Sequence, residues 1–86
     1  MSGGFFDYEN YKILDIANSI EEYLDKQAYE LEPRTKDEFR NAIYLLRKAE
    51  IYAERIDYLL CADDGEETFH DRLKKDLFKL DEKMNR

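Results

Sequence analysis

Arg40, Tyr44, Arg47, Lys48, Ile51, Arg55 and Tyr58 recur at steps near four and seven along one segment of the chain. On a helix that spacing puts them on one face. A tyrosine ring stacks on a base, and a guanidinium grips phosphate through two parallel hydrogen bonds, so the combination suits a nucleotide. A plainer account uses the same residues. Arginine and tyrosine are enriched at subunit interfaces, and Glu50 and Glu54 neighbour Arg47 and Arg55 as ion-pair partners on a solvated face.

The opening, MSGGFFDYENY, is the second informative stretch. Gly3-Gly4 bends freely, and its amides could form an anion-binding nest. The run Phe5, Phe6, Tyr8 and Tyr11 is too aromatic for an idle tail. It is expected to staple the first helix to the core or to dock on a neighbouring subunit. Closure of the arm over a ligand is the functional alternative. Tyr8, Tyr11 and Lys12 therefore join Tyr44, Arg47, Lys48, Arg55 and Tyr58 as the candidate ligand-binding set.

Other constellations carry less. Asp63-Asp64-Gly65-Glu66-Glu67 lacks the alternate-position acids of a calcium loop and reads as a capped turn. His70 has no second histidine or cysteine at ligand spacing, so no metal site is expected. Cys61 and His70 could meet across the turn, but no orienting group or oxyanion site accompanies them. Cys61 reads as a small apolar residue. With no glycine-rich phosphate loop, nucleophile elbow or paired-carboxylate motif, the expectation is no enzyme, no catalytic residues and no cofactor.

Three helices must position these side chains. Ile13, Ile16, Ile20, Leu24, Gln27 and Leu31 alternate steps of three and four, widened by Ala17, Tyr23 and Ala28. This predicts an amphipathic helix from about 7 to 31, with Asp7 as its N-cap. Pro33 stops it and places Glu32 in the connection. Thr35-Lys36-Asp37-Glu38 matches a capping box and predicts a second helix from Thr35 to about 62. Along it Phe39, Ala42, Leu46, Ala49, Ala53, Ile56 and Leu60 form an unbroken heptad-like seam. Ile43, Leu45, Ile51, Tyr52 and Leu59 add apolar surface outside the seam, more than one antiparallel neighbour can cover. Asp63 or Asp64 and Gly65 make the next turn. Phe69, Leu73, Leu77, Leu80 and Met84 give a third stripe over 65–84, with acids at its start and bases at its end. The expected fold is a single all-α domain, residues 1–86, built as a three-helix hairpin or bundle. A short arm, 1–6, precedes the helices, and the domain is expected to self-associate.

A chain of 86 residues builds only a small core, which oligomerisation commonly supplements. The net charge of −7 is uneven: residues 1–32 hold eight acids and two bases, for −6. That balance argues against direct binding of DNA or RNA, whose phosphates need clustered cations. The lone cysteine, together with the lack of a signal peptide or long apolar run, predicts a cytoplasmic protein with no membrane contact.

MSGG, one further residue, then FDY, with RKAEIYAERIDYLL and DDGEETFHDRL later in the chain, resembles a group of small proteins from tailed phages and prophages. The likeness spans nearly the whole chain and transfers no catalytic residues. It implies a viral accessory protein acting in the bacterial host cytoplasm. Small phage proteins of this kind often act by stoichiometric binding. Some inhibit host complexes, as anti-CRISPR proteins do, and others form sponges that soak up the nucleotide signals of CBASS or Thoeris defence. The leading expectation is a homo-oligomer that sequesters a small anionic nucleotide signal between subunits. The alternatives are an acidic inhibitor of a host defence protein, or a structural or regulatory helical subunit.

Overall fold

The computed structural model describes residues 5–61 and 65–84. Three helices make up the fold: α1 (Asn10–Lys26), α2 (Pro33–Leu60) and α3 (Glu66–Met84). Helix α1 ends at Lys26 rather than at about 31: the chain leaves α-helical geometry at Gln27, and a short 3-10 turn, Ala28–Glu30, follows. The all-α, three-helix architecture is the one the sequence predicts. No helix among the described residues is long and apolar enough to cross a membrane.

The helix ends differ from expectation in instructive ways. Asp7 does not cap α1. Asp7 and Tyr8 both have left-handed backbones, at φ 55 and φ 67, so the chain turns there and the helix starts at Asn10. Glu32 is extended, as the residue before a proline must be. Helix α2 then begins at Pro33 rather than Thr35, because proline's fixed φ already suits the first helical position. The amides of Thr35 and Lys36 both donate to the Glu32 carbonyl at 3.0 Å, and no side chain caps the helix, so the expected capping box is not used. Gly65 precedes α3, and its carbonyl accepts the Phe69 amide at 2.9 Å. The capping role expected of Asp63 or Asp64 lies outside the described residues, as do the Gly3-Gly4 nest and the first residues of the arm.

Helices α1 and α3 both run antiparallel to α2 and pack on separate flanks of it. Between themselves they form no interface of comparable size among the described residues. The result is an open arrangement with principal extents of 47 × 26 × 14 Å. Three helices side by side at ordinary spacing span roughly 20–25 Å, which matches the middle dimension. The radius of gyration is 15.2 Å, against about 12 Å for a compact domain of this length.

The core is correspondingly thin. Ala17, Ile43 and Leu80 are its buried apolar residues. Leu80 and its half-buried neighbours Phe69, Leu73 and Leu77 realise the stripe expected of α3. The seam expected of α2 is not the line that is buried. Ala49 and Leu60 are exposed and the other seam residues only half-buried, whereas Ile43 and Glu50 point inward. Helix α1 sits on the Ile43–Glu50 line because polar pairs, not apolar complementarity alone, set its position.

Candidate functional site

The stripe on α2 divides between the two flanking helices. Residues 43, 47, 50 and 54 turn toward α1, while 44 and 55 turn toward α3. The Arg47 guanidinium donates to Glu21 at 2.7 Å and to Asn18 at 3.3 Å, both on α1. Its side chain is 13% exposed. Arg55 pairs instead with Asp76 of α3 at 3.4 Å and with Glu54 at 3.9 Å, and its side chain is 11% exposed. Its guanidinium also lies 4.7 Å from the Tyr58 ring centroid. The two arginines are therefore enclosed by acids of the chain itself and serve different interfaces. Glu50 is not an ion-pair partner of Arg47 on a solvated face; it is buried and bound elsewhere.

Tyr44 and Lys48 belong to the α3 side. The Tyr44 hydroxyl donates to Asp81 at 2.7 Å, and Lys48 Nζ lies 5.7 Å from the Tyr44 ring centroid. The hydrogen bond to Asp81 raises the Tyr44 phenol above its ordinary value, with desolvation adding to the effect. Arg40 is more exposed and bonds to Asp37 at 3.0 Å within its own helix turn.

A second cluster gathers where the start of α1 meets the second half of α2. Asn10 Nδ2 donates to Glu50 Oε2 at 3.1 Å, and the two residues are 4% and 7% exposed. Asn10 Oδ1 is buried with no hydrogen-bond partner. Burial pushes the Glu50 carboxyl above its ordinary range, opposed by the Asn10 hydrogen bond and reinforced by the charges of Glu54 and Asp76. Beside it the Tyr11 hydroxyl donates to Glu54 at 3.4 Å, and the Glu54 charge raises the Tyr11 phenol. Tyr8 stacks on Tyr11 at 6.2 Å between centroids and 25° between planes; both rings remain largely exposed. Lys12 pairs with Glu9 at 3.3 Å on the surface.

The left-handed turn at Asp7 and Tyr8 lets the chain reach back across α2. The Phe5 amide donates to Asp57, and the Phe5 and Phe6 rings meet edge to face at 5.1 Å. Asp57 also accepts from the Cys61 thiol at 3.4 Å. The arm is thus tied to α2 through its backbone, while the Phe5 ring stays 59% exposed.

Of the eight residues singled out by sequence, Tyr8, Tyr11 and Lys12 gather at one end. Tyr44 and Lys48 share the α3 flank, Arg55 and Tyr58 form a ring-over-cation pair, and Arg47 stands apart on the α1 flank. Sequence reasoning passed over Asn10 and set Glu50 on a solvated face rather than in the buried line. The available signal was spacing: Glu50 lies seven residues after Ile43, hence on the same buried line of α2. No group of three or more His, Cys, Asp or Glu side chains among the described residues is placed to hold a metal ion. His70 packs edge to face on Phe69.

Several concavities border α1 among the described residues. One, of about 420 Å³, is lined by Asp15, Ile16, Ser19, Ile20 and Tyr23 of α1 with Phe39 of α2. Another, of about 310 Å³, lies over Ile43 between Glu21, Leu24 and Asp25 on one side and Lys83 on the other. Compared with known proteins, the chain matches no family model, no curated protein and no solved structure.

Proposed function

We propose that this chain is a non-enzymatic binding protein that acts stoichiometrically, using the carboxylates of α1 to occupy a basic surface on another protein. The observation that carries this reading is the fate of the arginines. Arg47 and Arg55 are held by Glu21 and by Asp76 and Glu54, so a phosphate would have to displace carboxylates already in place. All eight acids of residues 1–32 are exposed. The field such a surface projects steers cationic partners toward it and fades as salt is added. In the bacterial setting implied by the resemblance to phage proteins, the partner would be a component of a host defence complex.

Capture by the immobilised chain tests this. Wild type should retain a partner at equimolar ratio in low salt, and Asp15→Lys with Asp25→Lys should abolish retention while circular dichroism stays unchanged. Retention indifferent to those reversals, or to salt, rules the acidic face out.

A second reading keeps the nucleotide signal as ligand and sequestration as the mechanism. Its support is the exposed Tyr8–Tyr11 ring pair with Lys12 nearby, a stacking platform that does not depend on Arg47. Calorimetric titration with cyclic dinucleotides and cyclic ADP-ribose-type signals, against wild type and Tyr8→Ala, distinguishes it: heat for one signal that vanishes in the variant favours sequestration, and its absence for every signal rejects it.

A further inference from the structure

We infer that the face of α2 turned away from both flanking helices is a docking surface for a second copy of this chain. Leu45, Ala49, Tyr52, Ile56 and Leu59 step 4-3-4-3 along it, the spacing of a helix-pairing seam. Leu45 is 55% exposed, Tyr52 40%, and the adjoining Leu60 52%, while Ile56 and Leu59 are half-buried. Charged Lys48 and Arg55 lie off this line, toward α3.

The accessible area indicates what is missing. The chain exposes 6585 Å², whereas a compact monomer of 10.4 kDa exposes about 5,400 Å². The excess, about 1,200 Å², exceeds the roughly 800 Å² that each partner contributes to a standard stable interface. Domains ordinarily bury their apolar faces by stacking two layers of secondary structure. Among the described residues α1 and α3 flank α2 and leave its third side without a second layer, which a copy of the same face would supply.

Several features select a copy over an unrelated partner. The stripe carries no charged side chain, so two of them meet with no charge to desolvate, and one twofold axis makes the contact self-complementary. Ala49 in the middle permits close approach of the helices. The acids of α1 stay outside the contact, so two chains of charge −7 each can associate without pressing those carboxylates together. The inference does not depend on which partner the acidic surface binds.

Light scattering and sedimentation of the full chain from low micromolar to several hundred micromolar test it. Wild type should show twice the 10.4 kDa chain mass at the upper end and dissociate on dilution. Leu45→Glu and Ala49→Arg sit at exposed positions, so both should keep their helical circular dichroism. Each should weaken self-association by about tenfold or more, the equivalent of one well-placed contact. Asp15→Lys with Asp25→Lys should leave the dimer intact, which separates this result from the fate of the acidic face. A wild type that stays at one chain mass throughout overturns the inference. So does a dimer unmoved by both variants, or one lost only in Ile16→Glu, which would place the contact on the α1 groove.

Discussion

The two sides of α2 invert the usual rule of burial. Toward α1 the helix buries an acid, with Glu50 7% exposed, while on the opposite side Leu45 and Leu60 are more than half exposed. Both sides have a seven-residue period, so periodicity alone does not say which is covered. What separates them is hydrogen bonding. Glu50 meets Asn10, Glu54 meets Tyr11, and Arg47 meets Glu21 and Asn18, and a hydrogen bond to an ionised group gains more than a neutral one. The apolar side offers no such directional contacts, and a second copy of the same face is the surface that suits it.

The comparison breaks most visibly at Ile43. Ile43→Ala removes one of the three buried apolar side chains among the described residues and should lower unfolding stability by about 2–4 kcal/mol. In Leu45→Ala the same chemistry acts on an exposed residue, and dilute samples should stay within about 0.5 kcal/mol of wild type. Urea midpoints at low concentration measure both. Equal losses at the two positions would mean the faces do not differ.

The next effect is at the polar junction. Asn10→Ala strips Glu50 of its donor within a buried site and should cost about 1–3 kcal/mol. It should also raise the Glu50 pKa further, because the Asn10 hydrogen bond lowers it more than the nearby Arg55 charge does. Carboxyl chemical shifts followed through an acid titration would show the change.

Glu50→Gln sharpens the same point through pH. The folded-state pKa of Glu50 is raised, so its protonated form contributes stability at pH below the ordinary carboxylate value. That contribution is lost as pH rises through the raised folded value. The glutamine variant does not titrate. Its stability relative to wild type should therefore increase across that window and level off above it. Thermal midpoints of both proteins from pH 4 to 8 read the difference, and a constant offset would show that Glu50 is not perturbed by burial.

The smallest effect is expected at the turn before α1. Tyr8 holds φ 67, a backbone that costs a side-chain-bearing residue about 1–2 kcal/mol and glycine almost nothing. Tyr8→Gly trades that relief against the lost stack on Tyr11, so stability should rise by no more than about 1 kcal/mol. A clear loss of stability would mean the ring contact outweighs the strain.

Much of the fold was legible in the chain. The extended Glu32, the stripe of α3 and the all-α class each follow from local rules that tertiary contacts did not override, whereas α1 ends at Lys26, well ahead of the stop expected at Pro33. The capping box at Thr35 failed because Pro33 offered an equally local and earlier start. The candidate site was less legible. Tyr44, Arg47, Lys48 and Arg55 look continuous on a helical projection, yet they serve two different neighbours.

The residue pattern by itself determined that three amphipathic helices form, that a break falls before Pro33, and that α2 carries more apolar surface than its companions can hide. Helical period and the backbone limits of proline act within a few residues of chain, so no partner is needed to read them. Tertiary structure alone decided that α1 packs on the Ile43–Glu50 line, that the arginines answer to Glu21 and Asp76, and that the leucines of α2 are left outside. Those outcomes turn on polar contacts between residues 21 to 43 positions apart, such as Arg55 with Asp76, Glu21 with Arg47 and Tyr11 with Glu54. Their geometry does not exist until the helices have met.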